Sequence, residues 1–110
     1  MSDALADALE THLMSFGVYV TDATVTADTL VLEYETVAPG TGVPQQSVGQ
    51  VITVYREQSN DPRRIEARVT DTDGELRGTW HVEKGWLEAL DAEDLTEVGF
   101  SKYVLDTVED

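Results

Sequence analysis

Apolar residues recur at steps of three and four near the start of the chain. They form one stripe, and acidic residues occupy the opposite side. The stripe consists of Leu5, Ala8, Leu9, His12, Leu13 and Phe16. This spacing predicts an amphipathic helix over about residues 3–15. Ser2 is suited to cap its start, and Gly17 is suited to end it.

The apolar spacing changes to alternation after this helix. Residues 30–37 alternate between two sides, as expected for a strand with one solvent-facing side. Residues 18–26 are rich in β-branched side chains, and residues 27–29 can turn the chain. The pattern therefore predicts an antiparallel hairpin. Two prolines and two glycines keep residues 38–44 out of regular structure.

A second helix is predicted in a segment whose composition alone favours a strand. Four apolar residues fall on one side of a helix, although their types have high strand propensity. They are Val48, Val51, Ile52 and Tyr55. We expect a helix over about residues 45–58, because Pro44 fits its first turn and residues 60–62 break it.

A second hairpin follows, with a turn at residues 71–74 of the sequence Asp-Thr-Asp-Gly. The side chains expected to point inward are Ile65, Ala67 and Val69, and then Leu76, Gly78, Trp80 and Val82. A short helix is predicted from Trp86 to Leu90. Asp91 is expected to cap a further turn, and Ser101 is expected to cap a last helix.

The order α-ββ-α-ββ-α predicts one α+β domain over residues 1–110. We expect a four-stranded antiparallel sheet made of two hairpins, with the helices covering one face. The order is similar to that of bacterial secretion chaperones, although those proteins have an extra strand before the middle helix. Those chaperones are acidic, dimeric and bind other proteins, but a resemblance in element order is an analogy of fold and says little about function.

The chain carries 22 acidic and seven basic residues, a net charge of −15, yet 41% of its residues are hydrophobic. That hydrophobic fraction supports a folded core rather than a disordered tail. Such a surface repels itself in dilute salt, whereas at 1 M salt the Debye length of about 3 Å screens most of the repulsion. In composition and in the Trp-His-Val-Glu segment at residues 80–83, the chain resembles a small acidic haloarchaeal protein of an uncharacterised family. That resemblance implies no particular activity.

Several classes of site and location are disfavoured by the sequence. The chain has no Cys, which excludes disulfides, thiolate metal sites and a Cys nucleophile. Its start does not resemble a signal peptide, and no apolar run approaches the roughly 20 residues of a membrane span. The negative charge disfavours nucleic-acid binding. We expect a cytoplasmic protein with no cofactor, no metal and neither nucleic acid nor membrane as a partner.

Basic residues are concentrated in one part of the chain. Residues 1–55 contain seven acidic residues and no Lys or Arg, whereas residues 56–84 contain six of the seven basic residues. The outward face of the second hairpin is the candidate partner or anion surface, formed by Arg64, Arg68, Arg77 and His81. Guanidinium groups there could bind a phosphate, a carboxylate or an acidic patch of another subunit. The simpler alternative is cross-strand pairing with the glutamates of that face, which are Glu66, Glu75 and Glu83.

Other candidate residues have structural explanations. Trp80 is expected in the core and His81 outside, while Trp86 is expected to pack over the end of the sheet. His81 and Glu83 could act in acid–base chemistry, but no nucleophile accompanies them. His12 is expected to be partly buried as a neutral, hydrogen-bonded ring. Residues 71–75 resemble the start of a calcium loop but lack its later ligands, so we expect a hairpin turn.

We therefore expect a non-catalytic interaction or binding module of a halophile's cytosol. Its ligand would be a protein partner or a second copy of the chain, and catalysis is less favoured because no catalytic or nucleotide-binding motif occurs. The alternative is a small-anion sensor or enzyme that uses the outward face of the second hairpin.

Overall fold

A computed structural model describes residues 4–109 of the chain. These residues form elements in the order α-ββ-α-ββ-α-α. The helices are α1 (Ala4–Met14), α2 (Gln45–Gln58), α3 (Lys84–Asp91) and α4 (Glu97–Leu105). The strands are β1 (Val18–Val25), β2 (Thr29–Thr36), β3 (Arg64–Thr70) and β4 (Leu76–Val82). Ser2, the expected cap of α1, lies outside the described residues.

The second helix, α2, occupies the predicted residues. Pro44 precedes it in an extended conformation, and Ser59, also extended, follows its last residue. Its predicted apolar side is buried in a core that it shares with the strands, and the helix packs against α1. Helical spacing therefore outweighs strand propensity here, because the helix can bury one continuous apolar side.

The four strands form one sheet in the order β1-β2-β3-β4. The pairs β1–β2 and β3–β4 are antiparallel, which confirms the two predicted hairpins. However, β2 and β3 run parallel, with Leu30 opposite Ile65 and Tyr34 opposite Val69. The prediction of a wholly antiparallel sheet is therefore wrong. The reason is that α2 carries the chain back to the end of the sheet where β2 began, so that the next strand runs in the same direction.

The region after the second hairpin contains two helices, whereas the predicted order α-ββ-α-ββ-α has a single α there, although the residue pattern indicated both a short helix and a last helix. Asp91, the expected cap, is the last residue of α3, and Ser101 lies inside α4. Thr96 caps α4, with its Oγ1 accepting a hydrogen bond from the backbone N of Gly99 at 3.1 Å. Asp, Ser and Thr all favour this position, so residue type alone does not select the right one.

All four helices pack on one face of the sheet, and their buried residues form a single core with those of the strands. Trp80 is 2% exposed, which confirms that it points inward. Leu76 was also predicted to point inward, but it is 51% exposed. The cause is a change of register between Val69 and Thr70, which alters the facing of the first residues of β4.

A short series of side-chain hydrogen bonds crosses this core. Trp80 Nε1 donates to the Tyr34 hydroxyl at 3.0 Å, and the hydroxyls of Tyr34 and Ser47 lie 2.9 Å apart. Ser47 Oγ in turn donates to the carbonyl of Pro44 at 2.7 Å. These hydrogen bonds link β4, β2 and the start of α2. They also give partners to the Trp80 N–H and to the Tyr34 and Ser47 hydroxyls, which would be costly to bury without them.

The two outer edges of the sheet differ. Thr79 of β4 and Glu109 exchange two backbone hydrogen bonds of 2.8 and 2.9 Å. Thr107 Oγ1 also accepts a hydrogen bond from the backbone N of His81 at 2.9 Å. The C-terminal residues thus pair with the edge of β4, while β1 forms the opposite edge. Within residues 4–109, no helix has the length and apolar character needed to cross a membrane.

Candidate functional site

The face of the sheet that points away from the core is called the outer face here. Its central side chains belong to Val31, Glu33, Arg64, Glu66, Arg68, Thr79 and His81. They are partly or fully exposed because they alternate with the buried residues of each strand. A shallow depression of about 330 Å³ lies on this face, lined by Arg64, Arg68 and His81 among others. The structure therefore brings three of the four candidate residues together.

Carboxylates contact the basic groups of the outer face. Arg64 forms a close ion pair through Nη1 with Glu83 and a second one, at 3.4 Å, between Nε and Oε2 of Glu66. Arg68 Nε lies 3.5 Å from Oε2 of Glu33. Exposed pairs of this kind stabilise a fold by about 0–1 kcal/mol each, so their main effect is to position the side chains.

Glu83 is the most perturbed carboxylate of this cluster. The hydrogen bond from Arg64 lowers the pKa of Glu83 below its usual value, and attraction to Arg64 and His81 adds to the effect. The same hydrogen bond raises the pKa of Arg64. His81 Nε2 lies 3.4 Å from Oε2 of Glu83. Glu83 therefore holds two candidate residues together as a charged group. Because it already occupies Arg64, it competes with any small anion for that guanidinium.

Arg77 is engaged elsewhere. Its Nε donates to the carbonyl of Gly42 at 2.8 Å, and its Nη1 donates to the carbonyl of Ala38 at 2.6 Å. Both carbonyls belong to the segment between β2 and α2. The guanidinium of Arg77 thus fixes a loop whose composition gives it no regular hydrogen bonding of its own.

An aromatic stack lies beside the outer face. The His81 and Trp86 ring centroids are 6.0 Å apart, and those of Trp86 and Tyr103 are 5.5 Å apart, with both pairs stacked. Trp86 comes from α3 and Tyr103 from α4, so the stack joins both last helices to β4. Tyr103 is half exposed and extends the accessible apolar surface next to His81.

The remaining candidates are separate from this cluster. His12 is exposed, which contradicts its expected burial, because Leu9 and Leu13 occupy the buried line of α1. Among residues 4–109, no group of three or more His, Asp or Glu side chains could hold a metal ion. Asp71 Oδ1 accepts hydrogen bonds from the backbone N of Asp73 and Glu75. These hydrogen bonds confirm the predicted hairpin turn.

Comparison with known proteins assigns the chain to a family. A family model described as a domain of unknown function, DUF8159, matches residues 1–110. The chain belongs to the DUF8159 family. No curated protein and no solved structure matches it. For this DUF8159 domain, a functional argument therefore depends on the site itself.

Two kinds of contact bring residues to the site of this DUF8159 domain that its sequence pattern does not predict. Glu33 reaches Arg68 because β2 lies beside β3, with Glu33 directly opposite Arg68 in the parallel register. Thr107 and Glu109 border the depression because the C-terminal residues pair with β4. Both are long-range contacts. Alternation along residues 30–37 places Glu33 on the outward side of β2, but its partner depends on strand order.

Proposed function

We propose that this protein is a non-catalytic interaction module of a halophilic cytosol that binds an acidic protein partner through its outer face. The observation that carries the proposal is an open sheet face on which Arg64, Arg68 and His81 are gathered in a chain of net charge −15. Elsewhere on such a chain, an acidic partner meets mainly like charges. On the outer face, Arg64 and Arg68 offset part of the negative charge, although each of them is also paired with a glutamate of the same chain.

High salt limits which contacts can contribute to binding an acidic partner. With a Debye length of about 3 Å at 1 M salt, attraction acts only between groups in contact. Guanidinium groups suit these conditions, because they form directional, paired hydrogen bonds with carboxylates. The habitat itself is inferred from the excess of 22 acidic over seven basic residues.

Arg68 and Val31 are the residues best placed to contact the partner. Arg68 uses only Nε in its ion pair with Glu33, and 57% of its side chain is exposed. Its terminal nitrogens are thus accessible to a carboxylate of the partner. Val31, directly opposite Glu66 in the strand pairing, is 49% exposed and offers an apolar contact in the same depression. An arginine beside an apolar contact is a combination that protein interfaces favour.

The test compares charge-reversed baits in lysate of a salt-accumulating archaeon at about 3 M KCl. Arg68→Glu should lose the partner that the unaltered protein retains, and Val31→Glu should weaken it. Lys102→Glu, a matched reversal at an exposed position of α4, should retain it. With the purified partner, Arg68→Glu should raise the dissociation constant at least about tenfold. Equal retention by all baits at unchanged far-UV circular dichroism would contradict the proposal.

A further inference from the structure

Two stretches of this highly charged chain contain no Asp, Glu, Lys or Arg. They are residues 11–21 and residues 36–55. Charged residues make up 26% of the chain, so on average about one residue in four carries a charge. The second stretch alone covers 20 positions and includes most of α2. Up to Thr53, the solvent-exposed positions of α2 are therefore filled with Gln, Gly and Thr, and the charged residues Arg56 and Glu57 come only in its last turn.

The two stretches meet in the folded protein. β1 pairs with β2, so that Val18 lies opposite Thr36, and α1 packs against α2. A Cβ atom placed on Gly17 would lie 3.7 Å from Val37. The resulting surface, called the uncharged patch here, consists of Phe16, Val37, Gln46, Gly49, Gln50 and Thr53. One carboxylate, Glu57, also lines the larger of its two depressions. The uncharged patch is on the helix side of the molecule and is distinct from the outer face.

Apolar groups are exposed in the uncharged patch. Phe16 is 53% exposed and Val37 is 59% exposed, while Met14 at the end of α1 is 51% exposed. Phe16 stands between two adjoining depressions of about 430 and 230 Å³, and Gln46 and Gln50 also line both. Exposed aromatic and methionine side chains in a surface poor in charged residues are typical of the centre of a protein interface.

Gly49 is a second indication that α2 packs against another molecule. It lies inside α2, where glycine destabilises a helix relative to alanine. Its φ is not positive, and a Cβ atom placed there would meet nothing within 4 Å. The described fold therefore gives no reason for a glycine at this position, whereas a close approach by a second chain does.

We propose that the uncharged patch is the interface of a symmetric dimer of this chain. Two chains of charge −15 repel each other, and an uncharged surface is where they can come into contact with the least repulsion. A two-fold axis places the patch against itself, so the uncharged surface of one chain meets the uncharged surface of the other.

The patch is also self-complementary in shape and in hydrogen bonding. Phe16 projects next to the depression that Gly49 leaves open, so Phe16 of each chain can enter the depression of the other. Each glutamine amide has both a donor and an acceptor, and Gln46 and Gln50 can therefore pair with their symmetry copies. The occupant that fits this surface is a second copy of the chain.

The test measures mass by light scattering at about 3 M KCl over a range of protein concentrations. The unaltered protein should have about twice the chain mass of 12.1 kDa. Gly49→Glu should shift it to the monomer by raising the dimer dissociation constant more than about tenfold. The fold should persist, because glutamate is a better helix former than glycine and has open space there.

Gly85→Glu is the matched control. Gly85 is also an exposed helical glycine whose added Cβ would meet nothing within 4 Å, but it lies in α3. This variant should remain a dimer. A monomeric unaltered protein, or a dimer that survives Gly49→Glu, would overturn the proposal. A dimer that dissociates with Arg68→Glu and not with Gly49→Glu would assign the contact to the outer face instead.

A second measurement applies even if Gly49→Glu does not fold. Because the chain has no Cys, a single nitroxide label can be attached at Gln50→Cys or at Thr72→Cys. Thr72 lies in the turn between β3 and β4. Labels at position 50 should be closer together across the dimer than labels at position 72. The opposite order of distances, measured by pulsed dipolar spectroscopy, would overturn the proposal.

Discussion

Tyr34 places a hydroxyl group in the middle of an apolar core. Its partners come from distant parts of the chain, Ser47 on α2 and Trp80 on β4. Burial raises the pKa of Tyr34, because the charged phenolate would lose its hydration, while the two hydrogen bonds act in the opposite direction. At the scale of single residues, alternation along β4 predicts Trp80 in the core. Alternation cannot predict that the Trp80 N–H donates to Tyr34, since this contact depends on how α2, β2 and β4 assemble.

Tyr34→Phe should lower the free energy of unfolding by about 1–3 kcal/mol at pH 7, because Trp80 Nε1 loses its acceptor. This deficit should shrink as the pH rises beyond about 10, the ordinary pKa of a tyrosine. Above that pH the unfolded chain releases the phenol proton, whereas the folded protein retains it, and the unaltered protein loses stability. Urea titrations at constant KCl and at several pH values measure both effects.

Trp80→Phe is the control for this experiment. It removes the same hydrogen bond but leaves the Tyr34 phenol in place, so its stability should fall at high pH in parallel with that of the unaltered protein. A deficit of Tyr34→Phe that stays constant between pH 7 and pH 11 would show that Tyr34 does not contribute to the alkaline loss of stability.

Arg63 joins three elements at one end of the sheet. Its Nε donates to the carbonyl of Thr26 in the β1–β2 turn at 2.8 Å. Its Nη1 donates to the Tyr55 hydroxyl at 3.2 Å and to Ser59 Oγ at 3.1 Å. These contacts tie the end of α2 to the first hairpin, just before β3 begins. They hold the crossover that makes β2 and β3 parallel.

Arg63→Ala should lower the free energy of unfolding by about 1.5–3 kcal/mol, because it leaves the Tyr55 hydroxyl and Ser59 Oγ, both in partly buried contacts, and the Thr26 carbonyl without a charged donor. Arg68→Ala is the comparison, since its ion pair with Glu33 is exposed and should be worth less than about 1 kcal/mol. Denaturant titrations of both variants at equal salt test this difference. Similar losses for the two variants would contradict the structural role assigned to Arg63.

At the scale of elements, local patterns predict what lies within each element better than how elements pair. The stripe of Val48, Val51 and Tyr55 predicts α2 correctly, because burial of one helical side is decided locally. The direction of β3 against β2 depends on strand order, which alternation does not encode, and the antiparallel prediction failed there. The candidate site shows the same limit. Alternation predicts Arg64 and Arg68 on one face. The ion pair between Glu33 and Arg68 could not be predicted, because it forms only when β2 lies parallel to β3.

At the scale of the whole molecule, charge is distributed unevenly over three surfaces. The outer face mixes arginines with glutamates, the uncharged patch has no charges, and the other exposed surfaces of the helices carry much of the acidic excess. The two association surfaces proposed above are thus the surfaces on which carboxylates are offset or missing. In a folded chain the uncompensated carboxylates of the other surfaces lie close together and repel one another. The strength of this repulsion depends on the salt concentration.

The melting temperature should therefore rise as KCl increases from about 0.05 M to multimolar concentrations. The part of the rise that comes from screening should be largely complete near 1 M, where the Debye length is about 3 Å. A variant with Asp7→Asn, Glu10→Gln, Glu88→Gln and Asp94→Asn should show a smaller rise below 1 M, because it has four fewer negative charges to screen. These side chains are exposed and none of them forms an ion pair within the described residues. Above 1 M the two melting curves should rise in parallel, since salt then acts mainly by strengthening the burial of apolar groups. A melting temperature that does not change with KCl, or an equal rise for both proteins below 1 M, would contradict the view that charge repulsion limits this fold.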